Sequence, residues 1–387
     1  MDIGVITREF SPLTRNGGIG TAMRFLCDAL VTAGGHRLTV YFTGRPSPRL
    51  VPFARKMRQN GIRFRPVVAP LGLLLHDQRR RSRAVERTLA GTRHDCLLFH
   101  EFMADGWACL QKRAPGAPPC GMVTHGSALW VDEGNGVVVA EGPRAQVYDM
   151  ERQCCELADF LVSPSRYLLD WMRGRGWKLP TESRVIPNFT SAFAGDAGAT
   201  PHRRAPDAAP PRELVFFGRL EERKGLRVFC DALLRLPPRL LEGRQATFLG
   251  REGGYSVEQV REWLLPLTRA GLRLAFHTHL DAPAARGYLC GEGRLAVMPS
   301  LRENSPCVVS ECLESGIPFL ASAIGGGPEL ARPGDEGCFV PPDAAQLAAR
   351  LGHILANGLP RPALLRHAPS GIFDAWQDLL GKAAAPA

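Results

Sequence analysis

The sequence predicts two doubly wound α/β domains in succession. Short runs rich in Val, Leu and Phe alternate with longer amphipathic stretches, those runs are apolar on both faces, and the alternation starts afresh after a polar interruption at 191–212. Strands apolar on both faces belong to parallel sheets covered by helices on each side, and a repeated strand–helix rhythm gives the doubly wound arrangement. With 387 residues, 45% of them hydrophobic and 22% charged, the chain can bury the cores of two or three domains.

In order along the first half, strands are expected over 3–7, 38–43, 64–69, 96–100, 121–124 and 160–163, with helical stretches at 20–33, 77–90, 143–158 and 165–174. The second half repeats the rhythm with strands over 213–218, 246–250, 272–277, 295–299, 318–322 and 338–340. Segment 191–212 holds almost no large apolar residue after Phe193 and reads as a linker. The expected domains are therefore 1–190 and 213–360, with a cleft between the carboxyl ends of their strands.

Several classes are excluded. No apolar run approaches the ~18 residues that span a bilayer, and Asp2, Arg8 and Glu9 near the start do not suit a signal peptide. Eleven cysteines, an odd number with no C-x-x-C pair, suit a reducing cytoplasm, and no ligands cluster at zinc spacing. The net charge of +10 is uneven, because 45–93 carries thirteen basic side chains against Asp77 and Glu86. Such a segment attracts anionic partners: nucleic acid, acidic lipid or a phosphorylated substrate. The leucine-rich run 71–75 beside Arg79–Arg83 suits a peripheral contact with anionic membrane. The alternative is a solvated surface in an arginine-rich chain, since only five of the 48 basic residues are lysine.

Four stretches carry chemistry. At 298–330 a strand ends at Pro299 and a helix is expected to begin at Ser305-Pro306, with Ser as N-cap and Pro in the first turn. Glu303 then lies just before that helix and Glu311 about two turns into it. A helix N-terminus holds phosphate, and flanking acids suit a ligand that also bears hydroxyls. At 217–225, FGRLEERKG leaves a strand with Arg219 and Lys224 placed to clamp a diphosphate. Gly17-Gly18-Ile19-Gly20 follows a loop too long for a dinucleotide turn, which argues against a nicotinamide dehydrogenase. His125 closes an apolar strand in VTHGS.

Taken together, Gly17-Gly18-Ile19-Gly20, His125-Gly126, Gly218-Arg219 with Lys224-Gly225, and Glu303 with Glu311 resemble the family 4 glycosyltransferases, over essentially the full length. These are retaining, nucleotide-sugar-dependent enzymes of GT-B fold, in which two Rossmann-like domains face a central cleft. The tail IFDAWQDLLG, with Phe373 and Trp376, is similar to the closing helix of that family, so 361–387 is expected to cross back to the first domain. The resemblance implies that Arg219 and Lys224 hold the donor diphosphate, that Glu311 binds ribose hydroxyls, and that Glu303 meets the sugar, with Asn304 and Ser305 beside the donor. It implies that His125 faces the transferred sugar and that Gly18 lies near the donor. Gly17, Gly20 and Glu101 fall on the acceptor side. Where the family often has Glu-Gly-Phe-Gly, this chain has Glu303-Asn304-Ser305-Pro306.

The function implied is hexosyl transfer from a nucleoside diphosphate sugar, a UDP-sugar foremost, to an acceptor hydroxyl in bacterial glycan, glycolipid or natural-product biosynthesis. No metal or other cofactor and no nucleic-acid partner is expected, and no Asp-x-Asp signature occurs. The location expected is the cytoplasm, at the inner membrane face if 45–93 docks there. The alternatives are a non-catalytic sugar-nucleotide or anionic-ligand binder and a sugar-nucleotide epimerase of the same fold.

Overall fold

The computed structural model describes residues 1–14, 18–67, 77–190 and 209–384. Gly17, the 71–75 run and most of the expected linker lie outside the described residues. The chain divides into two compact units, Met1–Gly195 with Ala368–Ala387, and Asp196–His367.

The first unit is built on a seven-stranded sheet of β1 (Asp2–Thr7), β2 (Arg37–Phe42), β3 (Ile62–Pro66), β4 (Cys96–His100), β5 (Cys120–Val123), β6 (Phe160–Ser163) and β7 (Glu182–Val185), in the order β3-β2-β1-β4-β5-β6-β7. Every pair is parallel. Alternation along β1 explains the layers: Ile3 and Val5 join one buried cluster, Ile6 the other. Helix Gly18–Thr32 covers the first face with Met23, Leu26, Cys27 and Leu30, while Gly142–Leu157 and Arg166–Gly174 cover the second. The strand expected over 64–69 ends at Pro66. β7 and helix Leu50–Gln59 were not foreseen: β7 is a half-buried edge strand, and the helix buries only Met57 fully.

The second unit holds six parallel strands, β8 (Glu213–Phe217), β9 (Gln245–Leu249), β10 (Arg273–His277), β11 (Arg294–Met298), β12 (Phe319–Ser322) and β13 (Phe339–Val340), in the order β10-β9-β8-β11-β12-β13. Leu214 and Phe216 of β8 enter one cluster, Val215 and Phe217 the other. The two-faced apolar strands anticipated from sequence thus form two parallel, helix-covered sheets.

The two helices of the basic segment pack on opposite faces of the sheet. Helix Leu50–Gln59 packs Phe53 and Met57 against the β1 face bearing Ile3 and Val5, whereas helix Gln78–Leu89 sends Val85 into the opposite cluster with Ile6 and Phe99. The arginines of the two helices are therefore carried by opposite sides of the sheet. Among the described residues no helix is long and apolar enough to cross a membrane.

The last helix, Pro369–Ala384, belongs to the first unit. Ile372, Trp376, Leu379 and Leu380 recur at helical spacing and enter the same cluster as Met23 and Leu26. Arg184 of β7 pairs with Asp378 at 2.7 Å. Trp376 is 2% exposed, so Trp376→Ala should destabilise the first unit by about 3–5 kcal/mol. Urea denaturation followed by circular dichroism checks this; a midpoint equal to wild type would show that the helix contributes nothing to that unit.

Candidate functional site

In the second sheet the strand order reverses between β8 and β11. Ligands of open parallel sheets bind outside the carboxyl ends of the strands at such a reversal. Both connections there are pressed together by glycine. Gly225 has φ 72°, and a Cβ on it would lie 1.9 Å from the Pro299 carbonyl oxygen. The Leu301 N–H donates to the Arg223 carbonyl at 2.8 Å, and Arg223 Nη1 donates to the Arg302 carbonyl at 3.1 Å. From the other side Gly325, φ 96°, comes so close to Glu303 that a Cβ would meet its carbonyl oxygen at 2.1 Å.

These approaches assemble an alternating chain of charges. Arg219 Nη2 and Arg223 Nη2 each lie 3.1 Å from Glu221 Oε1, Arg223 Nη1 lies 3.6 Å from Glu303 Oε1, and the Lys224 ammonium donates to that same Glu303 oxygen. Arg219 stands half-exposed at one end, while Arg223 is buried. Burial opposes ionisation of Glu303, but Lys224 and then Arg223 outweigh it and hold the carboxyl below its ordinary range. Sequence reasoning brought Arg219, Lys224 and Glu303 to this end of the sheet and missed Glu221 and Arg223. Their run of mixed charges, EERK, reads as solvated loop, and only burial distinguishes it.

The helix after Glu303 starts later than expected. It spans Cys307–Ser315 with Pro306 at the N-cap position, and no side chain caps it. The Pro306 carbonyl already accepts the N–H groups of Val309 and Ser310 at 3.0 and 3.2 Å, so Pro306 is the half-in residue and Ser305 lies outside the helix. Asn304 is buried. Glu311, in the second turn, is pushed up to about 7 by burial, against the pull of Arg286. The Cys307 thiol, pushed up to about 12 by burial, feels Glu311, Lys224 and Glu303 together.

In the first sheet the reversal lies between β1 and β4. Glu101 follows β4 directly, is fully buried, and accepts the N–H groups of His125 at 2.7 Å and Gly126 at 2.5 Å. Gly126 has φ 122°, and Ser127 caps helix Ala128–Gly134 by accepting the Trp130 N–H. A second buried acid, Glu151, accepts the N–H groups of Met103 and Ala128 at 2.6 and 2.7 Å. It thereby holds a bend in which Met103 and Ala104 take φ values of 65° and 47°. Burial pushes Glu101 up to about 7 despite its N–H donors, and Glu151 well above the usual carboxylate range.

Two imidazoles complete this end, their rings 6.2 Å apart. His100 Nε2 accepts the Arg8 N–H at 3.3 Å, which places its proton on Nδ1, a buried atom without a partner. His125 Nε2 is buried and likewise has no partner among the described residues. Burial, followed by the neighbouring His100, pushes His125 down to about 3; burial pushes His100 to about 4. His125 is therefore neutral at ordinary pH. It borders a small cavity with Met23, Leu26, Phe189 and Trp376. Gly18 opens helix Gly18–Thr32. Gly20, inside it, is pressed against Thr14 and the Phe10 backbone, where a Cβ would lie 3.1 and 3.2 Å away.

Comparison with known proteins matches each unit separately. The family described as "Glycosyl transferase 4-like domain" matches residues 17–188, and "Glycosyl transferases group 1" matches 211–357. The chain belongs to the family 4 glycosyltransferases of GT-B fold. Its curated relatives include a D-inositol 3-phosphate glycosyltransferase of Geodermatophilus obscurus, 29% identical over 56% of this chain and 49% of the relative, and a glycogen synthase of Mycobacterium tuberculosis, 32% identical over 60% and 54%. The chain thus spans about half the length of the curated relatives it matches. Among solved structures, the sucrose-phosphate synthase of Thermosynechococcus elongatus shares the fold with TM-score 0.66 at 22% identity, covering 99% of this chain and 96% of that one. Anabaena HepE, in complex with UDP and glucose, does so with TM-score 0.57 at 16% identity, covering 99% and 95%.

The buried imidazoles set a pH dependence for the stability of the chain. Above about 6.5 the folded and unfolded chains both carry neutral His125; below it the unfolded chain takes up a proton that the folded state refuses until about pH 3. The stability belonging to His125 is therefore complete above pH 6.5 and falls as pH drops. Glu101 acts oppositely, gaining its proton in the folded state from about pH 7 downward. Relative to the non-titrating variant His125→Gln, the wild type should lose about 1.4 kcal/mol per pH unit between pH 6 and 5. Urea titrations at these pH values read it; a pH-independent difference would mean that His125 is charged in the fold.

Proposed function

We propose that the protein transfers a hexose from a nucleoside diphosphate sugar, with uridine as the base, to an acceptor hydroxyl, with retention at the anomeric carbon. The observation that carries this reading is the Arg219–Glu221–Arg223–Glu303–Lys224 chain at the β8–β11 reversal. Membership of the family and the likeness to a protein bound to UDP and glucose support it. A site in bacterial glycan, glycolipid or natural-product assembly fits these relatives.

Each part takes a task that the family resemblance implies and its chemistry allows. Arg219 and Lys224 stabilise the charge that develops on the departing diphosphate. Arg223 is buried between two carboxylates and fixes both, which makes it a positioning residue. Glu303, ionised, accepts from sugar hydroxyls, and Glu311 from the ribose. Asn304 and Ser305 are assigned to the donor, and the family resemblance assigns the Gly18 amide to donor phosphate and neutral His125 to the sugar being transferred. The bond between the anomeric carbon and the diphosphate oxygen breaks, the acceptor oxygen bonds that carbon on the same face, and the acceptor proton passes to the departing phosphate. The guanidinium and ammonium charges take the place of a metal.

Lys224→Ala and Arg219→Ala should each lower kcat by about 10²-fold or more. Glu311→Ala should weaken binding of free UDP, whereas Glu303→Ala should leave that affinity nearly intact and reduce transfer. Calorimetry with UDP and a transfer assay separate the two; the reverse order would overturn the assignment. UDP binding without transfer to any acceptor would mark a binding protein, and interconversion of sugar nucleotides an epimerase.

Turnover should persist in excess EDTA. Loss of activity in chelator, restored by Mg²⁺ or Mn²⁺, would show that the cation chain does not suffice.

A further inference from the structure

A second concentration of positive charge sits at the β1–β4 reversal of the first unit, separate from the donor cations. Arg8 follows β1 directly; Thr43, Gly44 and Arg45 follow β2. Helix Gln78–Leu89 sends Arg81 to the same place, where its Nη2 donates to the Thr43 carbonyl at 3.0 Å. Gly44 presses the loop onto β1, since a Cβ there would lie 2.5 Å from the Arg8 carbonyl oxygen.

The charges at this point do not balance. Arg81 feels Arg8 and Arg45 as like charges and Asp105 as the opposing one. Asp105 is 2% exposed, and its oxygens are already engaged by Arg8 Nη2 at 2.6 Å, by Gln78 Nε2 at 2.8 Å and by the Thr43 hydroxyl. The acceptor bonded to Arg81 is a neutral carbonyl, and the buried Arg81 Nε has no partner among the described residues. Burial, then Arg8 and Arg45, hold its pKa below the ordinary value against Asp105. A guanidinium kept half-buried beside two others is costly unless an anion meets it. Among the described charges at Arg81, three guanidiniums against one carboxylate leave about two positive charges, which a phosphate monoester of charge about −1.5 to −2 matches. Guanidinium forks suit phosphate oxygens.

We infer that the first unit binds a phosphate monoester through Arg81 and Arg45, with Arg8 held in place by Asp105, and that the acceptor is a phosphorylated molecule. The second half of this statement rests on the transferase reading, because the donor diphosphate is assigned to the other unit. The phosphate can belong to a soluble sugar phosphate or to a lipid headgroup; the chemistry recognised is the same.

The test uses the full chain with UDP in excess, so that phosphate sites in the second unit are occupied. Calorimetric titration with inorganic phosphate and with glucose 6-phosphate should show binding that Arg81→Gln weakens about tenfold or more, the loss expected of charge-assisted hydrogen bonds. Arg45→Ala, on an exposed loop, should weaken it severalfold without touching the fold, and Arg81→Lys should restore part of it. UDP affinity should be the same in all variants. Sedimentation with phosphatidic acid vesicles, against phosphatidylcholine alone, distinguishes a headgroup from a soluble phosphate. Arg81-dependent binding of either source supports the site. Absent phosphate binding, or binding equal in wild type and both variants, overturns it. Arg81-dependent binding combined with transfer only to unphosphorylated acceptors overturns the acceptor assignment. Arg81-dependent binding with no transfer to any acceptor leaves the site standing and removes the transferase reading.

Discussion

The approach of Gly225 to the Pro299 carbonyl is the constraint on which the second unit's site depends. No side chain fits between the two backbones, so the connection after β8 and the connection after β11 share one surface. Lys224 and Glu303 meet because their neighbours in sequence are already in contact. Arg223 is drawn beneath the same junction, where its backbone carbonyl and guanidinium both bind the 301–302 turn. Removing one member of such a buried ion pair costs more than forming it gains, because the partner is left unpaired. The alternating order of charges is thus a consequence of backbone contact, and the electrostatics follow from it.

The first unit solves the equivalent problem with uncharged hydrogen bonds. Glu101 and Glu151 act as buried acceptors for four backbone N–H groups, and together they hold the bend at Met103 and the turn at His125. The result is a neutral, water-poor end of the sheet around two imidazoles, bordered by the arginine cluster of Arg8, Arg45 and Arg81. The other unit presents alternating full charges. The two reversals therefore differ in kind: buried acceptors and imidazoles beside an arginine cluster in one, alternating full charges in the other.

How much of this the sequence carried depended on how strongly burial wrote itself into residue type. Strands such as β1, β4 and β8 are apolar on both faces and read directly. β7, ESRV, is half-buried at the sheet edge, so its polar residues carried no signal. Helix Leu50–Gln59 was missed although its apolar residues lie along one side, because Arg55, Lys56 and Arg58 crowd its second half and only Met57 is fully buried. Ser305-Pro306 resembled a cap and first turn, yet the Pro306 carbonyl opens the helix, a difference decided by backbone bonding. Arg219, Lys224 and Glu303 were legible as chemistry at strand ends. Arg223 and Glu221 were not, because in a run of mixed charges nothing in sequence separates a buried arginine from a solvated one. Glu151 lay within an amphipathic helix, and its role appears only through contacts with residues 103 and 128.

The helix Pro369–Ala384 comes last in the chain but completes the first unit. During synthesis residues 1–195 emerge well before their covering helix, and the groove later filled by Ile372, Trp376, Leu379 and Leu380 stays open while the whole second unit is being made. The second unit closes its own core from within its own segment, with Leu347, Leu351, Ile354 and Leu355 of helix Ala344–Asn357. A chain cut before Pro369 therefore loses part of the first unit's core, although every strand of that unit lies before Glu213.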